Sequence, residues 1–289
     1  MAILLAAVLI YVHIFEKRKP RAREMVVIAM VSAITVVANI ICAYTIPLHA
    51  GTAVVIITGI ALGPEAGVLT GALARFVCNF FMGQGIWTPW EMVAWAMLGG
   101  LAGVFFYKPV YTGYLEDKKK IRRESTKYGV MQLAAPAAII ILCELAGYIE
   151  YIIAAPSGET YMGWRVYVFG IAGIIIAAVI TRKKVAVNSV TTTVYTFVSV
   201  FILYGGLMNL AAMFMSSSYQ NGDISISLES LKLLYITGIP YDAMHALGAA
   251  VCVFLFGNTL IQKMTRIRIK YGLVSDRGWL IIKNVVMYV

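Results

Sequence analysis

The sequence predicts an all-α polytopic membrane protein. Hydrophobic residues make up 61% of the 289 residues, charged residues only 13%, and the mean hydropathy is +0.82. Several apolar runs are about 20 residues long, which is the length that an α-helix needs to cross the hydrocarbon core of a bilayer. No stretch has the composition of a soluble domain or a low-complexity region, so we expect the whole chain to be organised by the membrane.

The basic residues lie at the ends of the apolar runs. In a soluble protein, a formal net charge of +10 would raise the question of nucleic acid. Here most of the 24 lysines and arginines fall in four clusters, within residues 17–23, 108–127, 182–184 and 263–283. The positive-inside rule places such clusters in the cytoplasm. An even number of crossings must then separate each cluster from the next, and the charge needs no nucleic-acid partner.

The first half of the chain contains five apolar segments. Residues 1–15 lack a cleavage site and precede a basic run, which predicts a short membrane helix with an external N-terminus rather than a signal peptide. The next segment runs outward and ends near Pro47, and a shorter one returns to a cytoplasmic Gly-Pro turn within residues 63–67. The next segment leaves the cytoplasm, and the one after it returns, with an external loop between the two. In order, these four segments are residues 25–46, 50–62, 66–81 and 88–107.

The second half of the chain contains four more segments. After the basic loop, residues 128–154 and 162–181 form a hairpin joined by the external stretch APSGETYMG. Residues 187–214 then leave the cytoplasm, and residues 234–262 return after the polar external loop SSSYQNGDISISLES. This arrangement of nine segments places all four basic clusters on the same side of the membrane.

Small residues recur four positions apart, the spacing that lets membrane helices approach each other closely. The pairs are Ala29 and Ala33, Gly59 and Gly63, Gly67 and Gly71, and Gly99 and Gly103. For any single pair, packing within the chain is the favoured interpretation. The four cysteines all lie inside apolar segments, with no CxxC pair and no nearby histidines at metal-ligand spacing, so we expect small core residues rather than metal ligands.

Ionisable side chains within apolar segments are costly, and by default they mark a site or a pathway. The candidates and their two neutral companions are Arg75, Glu91, Glu144, Glu150, Asp242, His245, Asn79 and Asn209. Most fall toward the predicted external ends of their segments. Glu150, Asp242 and Arg165 could instead be solvated at the interface. Arg75 lies deeper and needs either a carboxylate, such as Glu91, or a ligand as its partner.

The external loop GQGIWTPWEM gathers polar and aromatic side chains around one proline. The residues that we expect to line a pocket there are Gln84, Trp87, Thr88, Trp90 and Glu91. With Trp95 close by, three tryptophans lie within nine positions, which favours a pocket over an interfacial belt. Pro89 starts a helix at little cost, and the unpaired N–H groups of that helix N-terminus favour a polar or anionic ligand group.

The stretch YDAMHALG places Asp242 and His245 three positions apart, just after Pro240. A metal site would need a third ligand, for which only His49 is plausible, so we expect no metal. Asp242 orienting His245, or both bonding to a ligand or to neighbouring backbone, is the favoured interpretation. The chain has no GxxxxGK[ST] phosphate loop, GxSxG or HExxH motif, so transport by this protein would take its energy from elsewhere.

Two blocks of the sequence resemble a known family. Residues 58–103, TGIALGPEAGVLTGALARFVCNFFMGQGIWTPWEMVAWAMLGGLAG, and residues 238–251, GIPYDAMHALGAAV, are similar to the substrate-binding S components of energy-coupling factor (ECF) vitamin transporters, and residues 21–57 share the similarity. The branch that they resemble most is associated with cobalamin and its precursors. In that branch a similar loop has proline at the position of Ile86 and glutamine at that of Glu91.

The resemblance implies a six-helix S-component-like bundle with two additions, an extra N-terminal segment and an inserted helical hairpin. In order along the chain, we expect an N-terminal membrane segment with a basic linker, four core helices, the hairpin with its basic loops, the last two core helices and a cytoplasmic tail. These five parts would be residues 1–24, 25–114, 115–185, 186–271 and 272–289.

The resemblance also implies a multi-pass subunit of an importer in a bacterial cell membrane. It would bind a vitamin, with cobalamin or a corrinoid precursor as the best candidate, and deliver it inward with a separate coupling protein and cytosolic ATPases. We expect no catalytic residue and no cofactor. Ala29 and Ala33 match an AxxxA surface for the coupling protein, with Val37 at the next repeat position. The substrate-binding candidates are Arg75, Asn79, Gln84, Trp87, Thr88, Trp90, Glu91, Asn209, Asp242 and His245.

Two other classes of protein stay open at this point. An integral-membrane enzyme acting on a lipid or prenyl substrate would use Asp242, His245 and Glu91 as acid–base groups, and their substitution would abolish turnover rather than affinity. A proton-coupled secondary transporter would use Arg75 and Glu144 as a relay. That class commonly carries inverted repeats, which the sequence does not show.

Overall fold

The computed structural model describes residues 22–45, 48–107, 118–155, 161, 164–180, 187–219 and 228–273. Within these residues all regular structure is helical and no strand is present, as the predicted fold class requires. The helices are α1 (Ala22–Thr45), α2 (Ala50–Leu62), α3 (Pro64–Met82), α4 (Thr88–Phe106), α5 (Lys118–Ala154), α6 (Trp164–Ile180), α7 (Ser189–Ser199), a π-helical turn (Val200–Tyr204), α8 (Gly205–Tyr219) and α9 (Leu228–Lys270). The predicted segment at residues 1–15 lies outside the described residues, as does the tail beyond Leu273.

The other eight predicted segments all have helices in the structure. Among the described residues, five helical stretches are long and apolar enough to cross a membrane, and α3, which carries Arg75 and Asn79, is not one of them. Helix α5 begins at Lys118, earlier than the apolar segment predicted at residues 128–154, because KKKIRRESTK contains mostly residues that favour helix and can extend it beyond the apolar run. Helix α9 is likewise longer, with 43 residues, or about 65 Å at 1.5 Å per residue.

Helix α2 lies inside the protein rather than against lipid. Its 13 residues measure about 20 Å, which is less than the hydrocarbon core of a bilayer. Nearly every residue is buried, from Gly51 to Ala61, and the helix is apolar on all sides, as expected for a helix surrounded by protein. Helices α1, α3, α4 and α9 pack around it.

The paired glycines allow α2, α3 and α4 to pack backbone against backbone. A Cβ atom added at Gly59 or at Gly67 would overlap the carbonyl oxygen of Gly99, and one at Gly71 would lie 2.5 Å from the carbonyl oxygen of Trp95. Packing within the chain, the favoured interpretation of these pairs, is therefore confirmed. Gly63 has a φ of 107° and accommodates the sharp turn between α2 and α3.

Helices α5 and α6 form a hairpin on the outside of this bundle. Helix α5 packs mainly on α6, and α6 contacts the π-helical turn together with α4, α8 and α9. Helices α7 and α9 pack on each other, and α9 also packs on α2. Near its end, Arg268 donates through Nη1 to the carbonyl oxygen of Ala61 at 2.7 Å, which brings the basic end of α9 beside the Gly63 turn, on the side predicted to be cytoplasmic.

Candidate functional site

An ion pair joins the end of α3 to the start of α4. The Arg75 guanidinium donates through Nη2 to Oε1 of Glu91, and the two side chains are only 12% and 9% exposed. The guanidinium also lies 5.2 Å from the centroid of the Trp95 ring, which is fully buried. The sequence left Arg75 with either a carboxylate or a ligand as its partner, and in the structure the partner is the carboxylate.

Polar side chains extend this pair toward the loop between α3 and α4. Asn79 donates through Nδ2 to Oε2 of Glu91 at 2.7 Å and to Oγ1 of Thr88 at 2.9 Å. The Thr88 hydroxyl donates to Oε1 of Gln84 at 2.9 Å, and Nε2 of Gln84 donates to the carbonyl oxygen of Phe76 at 3.1 Å. These residues and the ion pair form one continuous hydrogen-bond network, built from side chains that the sequence marked as candidates.

The three tryptophans of this region lie in different environments. Trp95 is buried beneath the Arg75 guanidinium. Trp90 stacks on Phe214 of α8, with ring centroids 5.7 Å apart and an interplanar angle of 16°, so it joins α4 to α8. Trp87 is 37% exposed at the loop. It is the tryptophan of the three that is accessible for stacking on a bound molecule.

A second polar cluster surrounds Asp242 on α9. Oδ2 of Asp242 accepts hydrogen bonds from the Tyr167 hydroxyl at 2.7 Å and from Nδ2 of Asn209 at 2.8 Å. Asp242 is 3% exposed, so the interpretation that it is simply solvated at the interface is wrong. Among the described residues Asp242 forms no ion pair, and neutral donors hold its carboxylate.

His245 contacts a different set of neighbours from Asp242. Its Nε2 lies 3.1 Å from Oγ1 of Thr52, its ring centroid lies 3.8 Å from that of His49, and the Tyr204 ring packs edge-on at 4.3 Å. Of the two alternatives for this pair, Asp242 orienting His245 is therefore wrong, because neighbouring helices supply the partners of both side chains. The alternative that both side chains bind a ligand stays a prediction. Over the described part of the chain, no group of three or more His, Cys, Asp or Glu side chains could hold a metal ion.

Tyr204, in the π-helical turn, lies between the two clusters. It is buried, and it is close enough to Arg75, Glu91 and Asp242 to interact with them electrostatically. His49 immediately precedes α2, and burial, together with the positive charge of Arg75, lowers the pKa of its imidazole. The His49 ring is therefore neutral near pH 7. The ion-pair network, the two neighbouring histidines and the Asp242 cluster together form one polar region at the end of the bundle opposite to the Gly63 turn.

Three buried polar atoms in this region make no hydrogen bond within the described part of the chain. They are Nε of Arg75, Nε1 of Trp95 and Nδ1 of His245, on three different helices. Arg75 lies over the Trp95 ring and is close enough to His245 to interact with it electrostatically. Because buried polar groups in proteins are nearly always paired, three unpaired atoms in one region are an exception that needs an explanation.

Two glycines make room for the Asp242 cluster. A Cβ atom at Gly205, the first residue after the π-helical turn, would lie 2.5 Å from Cγ of Asp242, and one at Gly238 would lie 2.5 Å from Oδ1 of Asn209. The sequence analysis did not single out Tyr167, Tyr204 or these glycines. The glycines lack the four-residue spacing that marks close helix packing, and tyrosine is common in membrane proteins at interfaces.

We expect Gly205→Ala to destabilise the protein by about 1–3 kcal/mol, because the added methyl group displaces a buried, hydrogen-bonded carboxylate. Thermal unfolding of the purified protein in detergent measures this effect. Gly257→Ala is the matched control, since its Cβ atom would meet only the side chain of Val253, with the nearest atom 3.2 Å away. Equal unfolding midpoints for the two variants would contradict the close packing of Gly205 on Asp242.

Two pairs of ionisable residues form within the described part of the hairpin. The Tyr161 hydroxyl donates to Oε2 of Glu144 at 2.5 Å, and Nε of Arg165 donates to Oε2 of Glu150 at 2.7 Å. Arg165 is 3% exposed, so it is not a solvated interfacial residue. Glu144 bonds to Tyr161 within the hairpin, while Arg75 pairs with Glu91. Arg75 and Glu144 therefore do not form the proton relay that a secondary transporter would use.

The fold and the site define a class of protein, a multi-pass α-helical membrane protein with a buried polar region at one end of its bundle. Residues 23–183, more than half of the chain, match the sequence profile of the family described as ECF transporter, substrate-specific component. The chain therefore belongs to this family and is a substrate-binding subunit of a transporter. Neither the curated proteins nor the solved structures gave a match. The matched range includes the α5–α6 hairpin and ends before α7.

Proposed function

We propose that this subunit binds a vitamin-like molecule at the external end of its bundle and that the molecule is a corrinoid. The observation that carries the proposal is the group of three unpartnered buried atoms on Arg75, Trp95 and His245. A site that leaves buried polar atoms unpaired favours ligands that supply the matching groups and rejects ligands that lack them.

The chemistry of the surrounding side chains suits a large ligand with amide-bearing edges. The guanidinium of Arg75 and the indole of Trp95 are donors for carbonyl oxygens, while Asp242 and Glu91 accept from amide N–H groups. Trp87, exposed in the loop, offers an aromatic face for the body of the molecule. A corrinoid combines a broad ring with several side-chain amides. The resemblance of the loop at residues 83–92 to that of the cobalamin branch supports the same substrate class.

We further propose that the bundle divides as the sequence analysis expects, with residues 25–114 and 186–271 as its core. The packing of α9 on α2 and α7, and the outer position of α5, support this division. A bacterial cell membrane is the proposed location, and a coupling protein with cytosolic ATPases is the proposed partner. The coupling protein would bind α1, where Ala29 and Ala33 are exposed beside Met30 and Ile34.

This partner surface predicts a variant that separates binding from transport. We expect Ala33→Trp to retain substrate binding, because the residue is exposed on the outside of the bundle. Uptake in the reconstituted transporter should fall roughly tenfold or more, as for the loss of a central interface contact. The control is Ile153→Trp on the hairpin, where the native side chain is 79% exposed. An equal loss of uptake in both variants would contradict this assignment.

Reconstitution in lipid vesicles tests the proposed function. Vesicles that contain this chain alone should bind radiolabelled cyanocobalamin without ATP and accumulate none of it inside. Accumulation should require the coupling protein, the ATPases and ATP. Turnover of a lipid by the isolated chain would instead support the enzyme class, and accumulation driven by a pH gradient with this chain alone would support a secondary transporter.

A further inference from the structure

The α5–α6 hairpin lies outside the bundle, yet one of its side chains reaches the polar region. Tyr167 of α6 is fully buried and donates its hydroxyl hydrogen to Asp242 of α9 at 2.7 Å. Of the two donors that hold this carboxylate, one therefore comes from the hairpin and the other, Asn209, from α8.

We infer that Tyr167 is a positioning residue of the substrate site, through which the hairpin fixes Asp242 in the orientation that binds substrate. This inference rests on the proposed function, because it assigns Asp242 to the site of that function. It gives the hairpin a role in substrate affinity.

The surroundings of Tyr167 fix the direction of its hydroxyl group. Its ring lies 4.5 Å from the Tyr235 ring and stacks on Phe201 at 5.8 Å with an interplanar angle of 24°. Tyr235 is in turn held by a 2.9 Å hydrogen bond to the carbonyl oxygen of Gly206. A ring packed in this way loses little further conformational freedom when its hydroxyl binds a carboxylate, so the hydrogen bond is preorganised.

The arrangement of donors leaves one oxygen of Asp242 for a substrate. Tyr167 and Asn209 both donate to Oδ2, and no described residue donates a hydrogen bond to Oδ1. The carboxylate has no cationic partner among the described residues, and the absence of a side chain at Gly205 lets it lie against the helix backbone. The geometry suits a substrate group with an N–H donor, such as a primary amide, since a carboxylate binds such donors strongly.

The test is a binding titration of the full chain in detergent with cyanocobalamin, using wild type, Tyr167→Phe, Asp242→Asn and the double variant. If the wild type binds a different small molecule from its host cells, that compound is used in the same titrations. We expect Tyr167→Phe to weaken binding roughly tenfold, as for loss of one hydrogen bond to a charged group. In the Asp242→Asn background the same change should have little further effect.

Two controls separate positioning from general stability. Tyr148→Phe removes a hydroxyl from the other helix of the same hairpin, at a residue that is 47% exposed, and should leave the dissociation constant unchanged. Thermal unfolding without ligand shows whether each variant is folded at the temperature of the titration. A Tyr167→Phe protein that is folded and unaltered in affinity overturns the inference while the proposed function stands. A folded wild type that binds neither cyanocobalamin nor any compound from its host overturns both.

Discussion

Glu91→Ala is expected to destabilise the protein by about 3–5 kcal/mol, because the change leaves the buried Arg75 guanidinium without its counter-charge. The cost of a buried, unpaired charge is especially high within a membrane bundle. Asn79 also loses an acceptor, which adds to the effect. The measurement is the unfolding midpoint of the purified protein in detergent, which should fall by on the order of 10 °C.

The double variant Arg75→Met, Glu91→Met is the matched control. It removes both charges while keeping apolar volume at both positions, and exchanging a buried ion pair for hydrophobic residues is often close to neutral in stability. We therefore expect the double variant to recover most of the lost stability but to bind substrate poorly. If Glu91→Ala unfolds at the same temperature as the wild type, the two side chains do not form a buried pair.

Gly59→Ala is expected to cost about 3 kcal/mol or more, at or above the upper end for overpacking, and to lower the yield of folded protein strongly. The added methyl group would overlap the carbonyl oxygen of Gly99, and a backbone atom cannot move away by changing rotamer. Helix α2 must therefore separate from α4. Because α2 carries Thr52, which contacts His245, the change should also weaken substrate binding.

Gly257→Ala is the control for this prediction. It places the same methyl group on α9, where the nearest atom is Cγ1 of the Val253 side chain at 3.2 Å, and a side chain can adjust. Size-exclusion chromatography and thermal unfolding compare the two variants. Similar yields and midpoints for both would contradict the backbone packing of α2 on α4.

The helices could be predicted from the sequence because hydrophobic runs and their boundaries are local properties. The segment predicted at residues 50–62 is the helix Ala50–Leu62, bounded by the turn at Gly63. The pairing of Arg75 with Glu91 could also be anticipated, since a charge in an apolar segment needs a partner and the next helix offered a carboxylate. The burial of α2 on all sides could not be predicted from the sequence, because the length of the segment does not reveal which helices surround it.

The partners of Asp242 could not be predicted in this way. Its spacing from His245 suggested that the two side chains interact, but Tyr167 and Asn209, on helices far away in the sequence, hold the carboxylate instead. Trp90 similarly stacks on Phe214 of α8. Which face of one helix meets which face of another depends on long-range packing, and no short sequence pattern contains that information.

The central claim is that this family member holds a vitamin-like molecule in the polar region around Arg75. The most direct test is to purify the protein in detergent from cells supplied with cobalamin, and to record its visible spectrum and the masses of the small molecules that it releases. We predict about one corrinoid per chain, reduced in Trp87→Ala, whose native side chain is exposed enough for the fold to tolerate the change. A folded protein that releases neither a corrinoid nor any other vitamin-like molecule would contradict the claim.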